Sequence, residues 1–359
     1  EHDLLARDNN VRIEPAIRSA SLRCILDTPR QQRALGRVVE GLAETDPTHE
    51  IDPMEVISAA SVRLLEQAPM FGPQHVDIEL CTGRSMSGIS RRNLAGQVHR
   101  PLMRSDMFRL IVGELAKQRD CVLSFDGAGD PLRHPEFDVL VRIARESGIR
   151  AVHVRTELDG EPEIVDRLLA CEPDVVSIDL NGDSAGTRQA MHGIDRWEQV
   201  IENIERLIAG RRVLSGEGEA ALALPWIVPR LQRRAESLDD LPSFFERWRR
   251  RLGTCVIDSM PLQRRNELAI QDALAPTWAP SRFHHQQSMR RMTILSDGTV
   301  PVSVWNASGE DVVGDVLKDG VMGSWHLLVE ARRALRNNGR NHGIDMERGN
   351  GQEFSLAHA

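Results

Sequence analysis

Cys121-Val122-Leu123-Ser124-Phe125-Asp126-Gly127-Ala128-Gly129-Asp130-Pro131 is an apolar run that ends abruptly in two glycines and a proline. Bulky apolar residues followed at once by turn chemistry mark a buried strand that runs into a loop. Glycines at a strand end allow another group to approach the backbone closely, which suits a ligand. On spacing alone, a tight turn accounts for them equally well. Outward from this stretch, strand and helix patterns alternate. His75–Leu80, Arg150–Arg155, Asp174–Leu180, Ala220–Val228 and Thr254–Asp258 are the other strand candidates. Between them, Phe108/Ile111/Val112/Leu115, Phe137/Leu140/Val141/Ala144 and Trp197/Val200/Ile201/Ile204/Leu207/Ile208 recur at helical spacing. Ser105 and Asp195 suit N-caps, and Pro135 suits a first helical position. βα units in series with right-handed crossovers curve into a partial barrel or an open doubly wound sheet, and in both the ligand sits at the carboxyl ends of the strands.

Polar residues cluster at those ends. Thr156 and Glu157 follow the third strand, and alternation puts Ser177 and Asp179 of the fourth on one face. Each is able to hydrogen-bond a ribose or an amino group, and each singly also suits a solvated strand end. Beyond residue 260, Ser296-Asp297-Gly298 between Met292–Leu295 and Val300–Val304 predicts a hairpin, and Trp325–Leu335 reads as an amphipathic helix. The expected organisation is a helical lead-in (1–72), a partial barrel (73–262), a small α+β extension (263–345) and a disordered tail (346–359). The chain begins at Glu1, not Met, and a further N-terminal portion is expected.

Composition removes several function classes. Among 359 residues, 45 basic against 53 acidic side chains give a net charge of −8, no electrostatic case for nucleic-acid or anionic-membrane binding. The run Arg247-Trp248-Arg249-Arg250-Arg251 reads as a solvated helix face. No apolar run approaches a membrane span and no signal pattern opens the chain, so a soluble cytoplasmic protein is expected. Cys24, Cys81, Cys121, Cys171 and Cys255 are odd in number and far apart, which argues against a disulfide framework and fits a reducing compartment. Cys121, Cys171 and Cys255 suit buried small hydrophobes. Tyrosine is absent, and the sequence offers no physical reason for it.

The loop after the first strand reads Glu79-Leu80-Cys81-Thr82-Gly83-Arg84-Ser85-Met86-Ser87-Gly88-Ile89-Ser90-Arg91-Arg92. Together with the glycine loop, His134-Pro135-Glu136-Phe137, Val154-Arg155-Thr156-Glu157, Ser177-Ile178-Asp179-Leu180-Asn181-Gly182 and Met191-His192-Gly193, it resembles the radical S-adenosylmethionine (SAM) superfamily in order and position. Met292–Pro301, Gly314-Asp315-Val316 and Ser324-Trp325 resemble the SPASM extension that often follows that barrel, and Val228-Pro229-Arg230 with Phe244–Trp248 is most similar to spiro-SPASM proteins. The resemblance implies a partial (β/α)6 TIM-like barrel with a SPASM-like extension. It also implies SAM held by Gly127, Gly129, Asp130, Pro131, Thr156, Glu157, Ser177 and Asp179, a [4Fe–4S] cluster, and a small-molecule or peptide substrate. Residues 1–72 would be the tail of a nucleotidyltransferase-like domain.

The family holds its cluster with three cysteines spaced C-x3-C-x2-C, because iron needs soft, deprotonated thiolates and a serine hydroxyl is a poor substitute. Three registers of that spacing on this loop fall on Cys81/Ser85/Gly88, Gly83/Ser87/Ser90 and Arg84/Gly88/Arg91, never more than one thiol. Cysteines for auxiliary clusters are missing too, with His284 or His285 and Ser303 at those places. Two adjacent histidines point apart on a strand and read as a surface pair. Asp130 stands where the family has Glu, retracting the carboxylate by roughly an ångström. The leading expectation is a family member that binds SAM or serves as a scaffold without radical chemistry. The alternative is an active radical SAM enzyme whose parent sequence carries the cysteines. A third reading, an ordinary TIM-barrel or Rossmann enzyme, would draw its catalytic pair from Asp126, Glu157 and Asp179.

Overall fold

The computed structural model describes residues 72–83, 98–118, 121–213, 223–259, 290–303, 309 and 311–341, with isolated helical positions at 36, 39, 40 and 42. Cys24, Ser85, Ser87, Ser90, His284, His285 and the tail from 346 lie outside the described residues. The chain divides into two compact units, one of residues 1–72 with 280–290 and one of residues 73–279 with 291–359. The second unit carries the parallel sheet.

Its strands are β1 (His75–Ile78), β2 (Val122–Phe125), β3 (Ala151–Thr156), β4 (Val175–Asp179), β5 (Arg212–Val213), β6 (Ala223–Leu224), β7 (Trp226–Arg233), β8 (Val256–Ser259), β9 (Arg291–Ile294), β10 (Thr299–Pro301) and β11 (Val312–Asp315). The helices are α1 (Ser105–Ala116), α2 (Phe137–Glu146), α3 (Glu163–Ala170), α4 (Ala185–His192), α5 (Trp197–Gly210), α6 (Leu241–Leu252) and α7 (Val316–Asn341). Seven strands form one sheet in the order β8-β7-β4-β3-β2-β1-β9, and every pairing in it is parallel. From β1 through β8 each new strand of the sheet is laid beside the previous one in the same direction. A doubly wound sheet would reverse that order at a switch point. The one-way order therefore decides between the two expected architectures in favour of the partial βα barrel.

The outward face of the sheet is apolar. Val76, Ile78, Leu123, Phe125, Val152, Val154, Val176 and Ile178 are buried there against Phe108, Ile111, Val112 and Leu115 of α1 and Phe137, Leu140 and Val141 of α2. Phe125 anchors the contact, stacking on Phe108 at 5.9 Å between centroids and meeting Phe137 edge-on at 5.7 Å. Each such side chain contributes about 1.5–3 kcal/mol by burial, so this layer carries the fold.

Three expectations change. β7 runs on to Arg233, past the expected end at Val228, because Arg230 and Gln232 alternate inward and look polar in sequence. The Ser296-Asp297-Gly298 turn forms, with Gly298 N–H donating to Leu295 O at 2.9 Å and the Asp297 carboxylate accepting from the Thr299 amide at 3.0 Å. The strands on either side of it go elsewhere, however. β9 joins the edge of the barrel sheet beside β1, and β10 pairs antiparallel with β11. α7 starts well before Trp325 and bends at Gly320, whose φ of 69° suits glycine. Among the described residues no helix is long and apolar enough to cross a membrane.

Candidate functional site: a charged barrel lumen capped by the glycine loop

With the apolar side of each strand given to the helices, alternation sends the other set into the barrel. That set is polar: His75 and Asp77 from β1, Ser124 from β2, His153 and Arg155 from β3, Ser177 and Asp179 from β4, Arg230 and Gln232 from β7, Asp258 from β8, Arg291 and Thr293 from β9. TIM-type barrels ordinarily fill this space with branched apolar side chains. Charges there cost desolvation and persist only when paired.

The pairing is extensive. Arg155 Nε donates to both oxygens of Asp179 (2.9 and 3.1 Å) and its Nη1 to Asp126 at 3.2 Å. Burial works against its charge, but Asp179 and then Asp126 and Asp258 prevail and raise its pKa. Arg230 pairs with Asp258. Arg291 grips Asp77 through Nε and Nη2, the latter at 2.6 Å. Burial alone would raise the Asp77 pKa, yet Arg291 and His75 hold it at about 2. Side-chain exposures of 31% for His75, 25% for Arg291 and 30% for Asp258 show that solvent reaches this interior. A hydrogen-bonded chain crosses the barrel below the ion pairs. His75 Nε2 lies 3.3 Å from Asp77 Oδ1 and 3.0 Å from Ser124 Oγ. Ser124 Oγ bonds His153 Nδ1, and His153 Nε2 lies 2.8 Å from Ser177 Oγ. Burial pushes the His153 pKa down to about 4, so the ring is neutral at physiological pH.

At the carboxyl ends of the strands a second layer knits the loops together. Glu79, fully buried, accepts from Arg100 Nε (2.7 Å) and Nη2 (2.8 Å), the Ala128 amide (2.9 Å), and the Ser296 amide (3.2 Å) and hydroxyl (3.1 Å). The glycines of the β2 loop make room for this chain's own backbone. A Cβ on Gly127 would lie 2.6 Å from the Glu79 side chain, and one on Gly129 would lie 2.3 Å from the Cys81 carbonyl oxygen. Gly129 N–H donates to that oxygen at 3.1 Å, and Asp130 N–H donates to Gly83 O at 3.1 Å. Asp130 caps the short 3-10 turn Pro131–Arg133 by accepting from the Leu132 amide at 3.0 Å. Its other oxygen accepts from the Thr156 hydroxyl and the Glu157 amide, both at 2.8 Å. The carboxylates of Asp130, Glu157 and Asp159 come within 4.8 Å of one another, and the charges of Glu157 and Asp159 act on the buried Arg188 guanidinium. Arg188 donates to the carbonyls of Leu180 (2.9 Å), Asp179 (3.3 Å) and Glu157 (3.3 Å), and burial brings its pKa down to about 10.

The structure thus brings Gly127, Gly129, Asp130, Pro131, Thr156 and Glu157 together at the strand ends, while Ser177 and Asp179 face the lumen. Asp126 and Asp179 share one guanidinium, an ion-pair arrangement that offers no free acid and base. Sequence reasoning missed His75, Asp77, Ser124, His153, Arg155, Arg188, Arg230, Asp258 and Arg291. The available signal was polar residues at every second position of strands that are apolar in between.

The family model described as the radical SAM superfamily matches residues 81–213, the span from the end of β1 to β5. Over that span the chain is similar to radical SAM proteins. Two solved structures of Streptococcus suis SuiB share the fold. The form bound to S-adenosylmethionine aligns with a TM-score of 0.54 at 12% identity, covering 84% of this chain and 79% of SuiB. The form bound to the precursor peptide SuiA aligns with a TM-score of 0.51 at 12% identity, covering 82% and 77%. No curated protein matches. Within the matched span the first-loop cysteine, Cys81, is buried, and its Sγ donates to the Asp130 carbonyl at 3.2 Å. Burial pushes its thiol up to about 11.

Proposed function

We propose that this protein binds SAM at the strand ends of its barrel without carrying out radical chemistry. The observation that carries the reading is the donor set. Electron delivery in this superfamily needs a [4Fe–4S] cluster, a cluster needs three thiolates, and the first loop holds one cysteine. That cysteine is buried, protonated at neutral pH and turned to a backbone carbonyl. Among the described residues no three cysteine or histidine side chains come within ligand distance of one another. The residues present do not fit the cluster.

A polar ligand at the strand ends would draw on carbonyl acceptors, since the amides of Gly127, Ala128, Gly129 and Asp130 already donate to Asp126, Glu79, Cys81 and Gly83. Backbone groups of Gly127–Asp130 lie beside Thr156 and Glu157, which Asp130 fixes in place. SuiB, with the same fold, has been captured with SAM. Calorimetric titration of the metal-free protein with SAM tests the reading. Saturable heat is expected, with no 5′-deoxyadenosine released on adding dithionite. Absence of binding, or reductive cleavage of SAM, overturns it.

A further inference from the structure

Between α5 and α6 lies a cleft of about 330 Å³, lined by Ile201 and Glu205 of α5 and by Arg247, Trp248, Arg250 and Arg251 of α6. Helical spacing builds both walls. Trp197, Ile201 and Glu205 recur every fourth residue and form one stripe of α5, and Arg247, Arg250 and Arg251 share one face of α6. The Arg247 guanidinium lies over the Trp197 ring, 6.0 Å from its centroid, and Arg251 pairs with Glu205 across the cleft. The arginine run is a solvated helix face, as its sequence suggests, except at its centre. Trp248 is 2% exposed, and its indole N–H has no hydrogen-bond partner among the described residues. A buried donor without a partner costs free energy that an acceptor recovers.

The basic residues in the last turn of α6 also answer that helix's own C-terminal dipole, which accounts for their charge but not for the cleft or the unpaired indole. Among the described residues each lining guanidinium meets one carboxylate: Arg247 meets Asp183 at 3.2 Å, Arg250 meets Glu246 at 2.9 Å, and Arg251 meets Glu205. A guanidinium carries five N–H donors, so each has donors to spare. Anionic acceptors suit this rim and the indole N–H, and an apolar group suits Ile201 and Trp248. A small ion gains little here, because the guanidinium side chains are 48% to 82% exposed and exposed ion pairs are individually weak. Several such pairs acting together around one apolar anchor need a chain that carries both. On the adjoining face of α6, Arg249 lies 5.6 Å over the exposed Phe245 ring, which continues the arginine-and-aromatic surface beyond the cleft. We propose that the α5–α6 cleft docks an acidic segment of a partner protein. An apolar side chain of that segment seats on Ile201 and Trp248, and its flanking carboxylates meet Arg247, Arg250, Arg251 and the indole N–H, the mode in which arginine clusters recognise acidic motifs. This surface is separate from the SAM reading and does not rest on it.

The test is fluorescence anisotropy of a labelled peptide, one leucine flanked by two glutamates on each side, titrated with the full chain in the absence of SAM. Saturable binding is expected, about tenfold or more tighter than that of the same peptide with glutamines, and it weakens as salt is raised. Trp248→Phe keeps an aromatic ring but deletes the N–H, and it weakens binding about tenfold, as for a hydrogen bond to a charged acceptor. Arg250→Glu, at the most exposed of the three guanidinium groups, replaces attraction by repulsion and weakens binding about fivefold. Arg109→Glu, an exposed charge reversal on α1, leaves it unchanged. In nitrogen–proton NMR the one indole resonance missing from Trp248→Phe shifts when the peptide is added. No saturable binding, equal affinity for the glutamine peptide, an unmoved Trp248 resonance, or unchanged affinity in folded Trp248→Phe and Arg250→Glu each overturns the proposal. So does inorganic phosphate or a phosphatidylserine vesicle that binds as tightly as the peptide. Sedimentation showing a dimer that Arg250→Glu dissolves overturns it in favour of a second copy of this chain.

Discussion

Acidification from pH 8 to pH 4 should destabilise this protein through His153 in particular. The imidazole sits among β1–β4, hydrogen-bonded to Ser124 and Ser177, and burial lowers its pKa from 6.5 to about 4. In the unfolded chain it protonates below about 6.5, whereas in the folded one it stays neutral until about 4. Within that window the unfolded state binds the extra proton, so stability is full above pH 6.5 and falls as the pH drops towards 4. At 1.36 kcal/mol per pH unit the loss is about 3 kcal/mol, a large part of a typical domain's stability. Asp77, held at about 2, adds its own loss only below its unfolded value of 3.8, which leaves the higher window to histidine. His134, also lowered by burial, shares that window, so the comparison that isolates His153 is wild type against His153→Gln. Urea denaturation followed by tryptophan fluorescence from pH 4.5 to 8 should show the variant less stable at pH 8. Its slope against pH should be shallower by up to about 1.4 kcal/mol per unit. Parallel pH profiles, or an NMR titration of His153 near 6.5, would refute the reasoning.

Gly129→Ala places a methyl 2.3 Å from the Cys81 carbonyl oxygen, a backbone atom that cannot swing away, and should cost about 3 kcal/mol or more in thermal denaturation. Gly113→Ala, in α1 with open space around it, should instead add about 0.5–1 kcal/mol; equal effects of the two would contradict the packing described for the glycine loop. Cys81, with its thiol near 11 and buried, should resist iodoacetamide at pH 8 in the native protein and react once urea unfolds it; peptide mass spectrometry showing native labelling at a free-thiol rate would contradict that environment.

The barrel was legible in sequence because its outward face is built from Val, Ile, Leu and Phe, and because helical spacing named the buried faces of α1 and α2 residue by residue. The sequence pattern left the architecture open between barrel and doubly wound sheet, since strand order is a property of the whole chain. β9 was read as half of a hairpin because Asp297-Gly298 is a strong local turn signal. Its parallel partner β1 lies more than 200 residues away and leaves no local mark. The lumen was hidden for a related reason. His75/Asp77, His153/Arg155 and Arg230/Gln232 alternate with apolar residues as a solvated sheet face does, and only closure into a barrel turns that face inward. The glycine loop was located correctly, but what approaches Gly127 and Gly129 is the chain's own Glu79 and Cys81.

The donor set of the first loop decides the chemistry. Anaerobic reconstitution with iron and sulfide, followed by desalting, metal analysis and a visible absorption spectrum of the full chain, tests it most directly. The expected result is iron and sulfide well below one cluster per chain and no broad charge-transfer absorption, with SAM still binding by calorimetry. Four irons and four sulfides per chain with that absorption, bleached by dithionite, would contradict it.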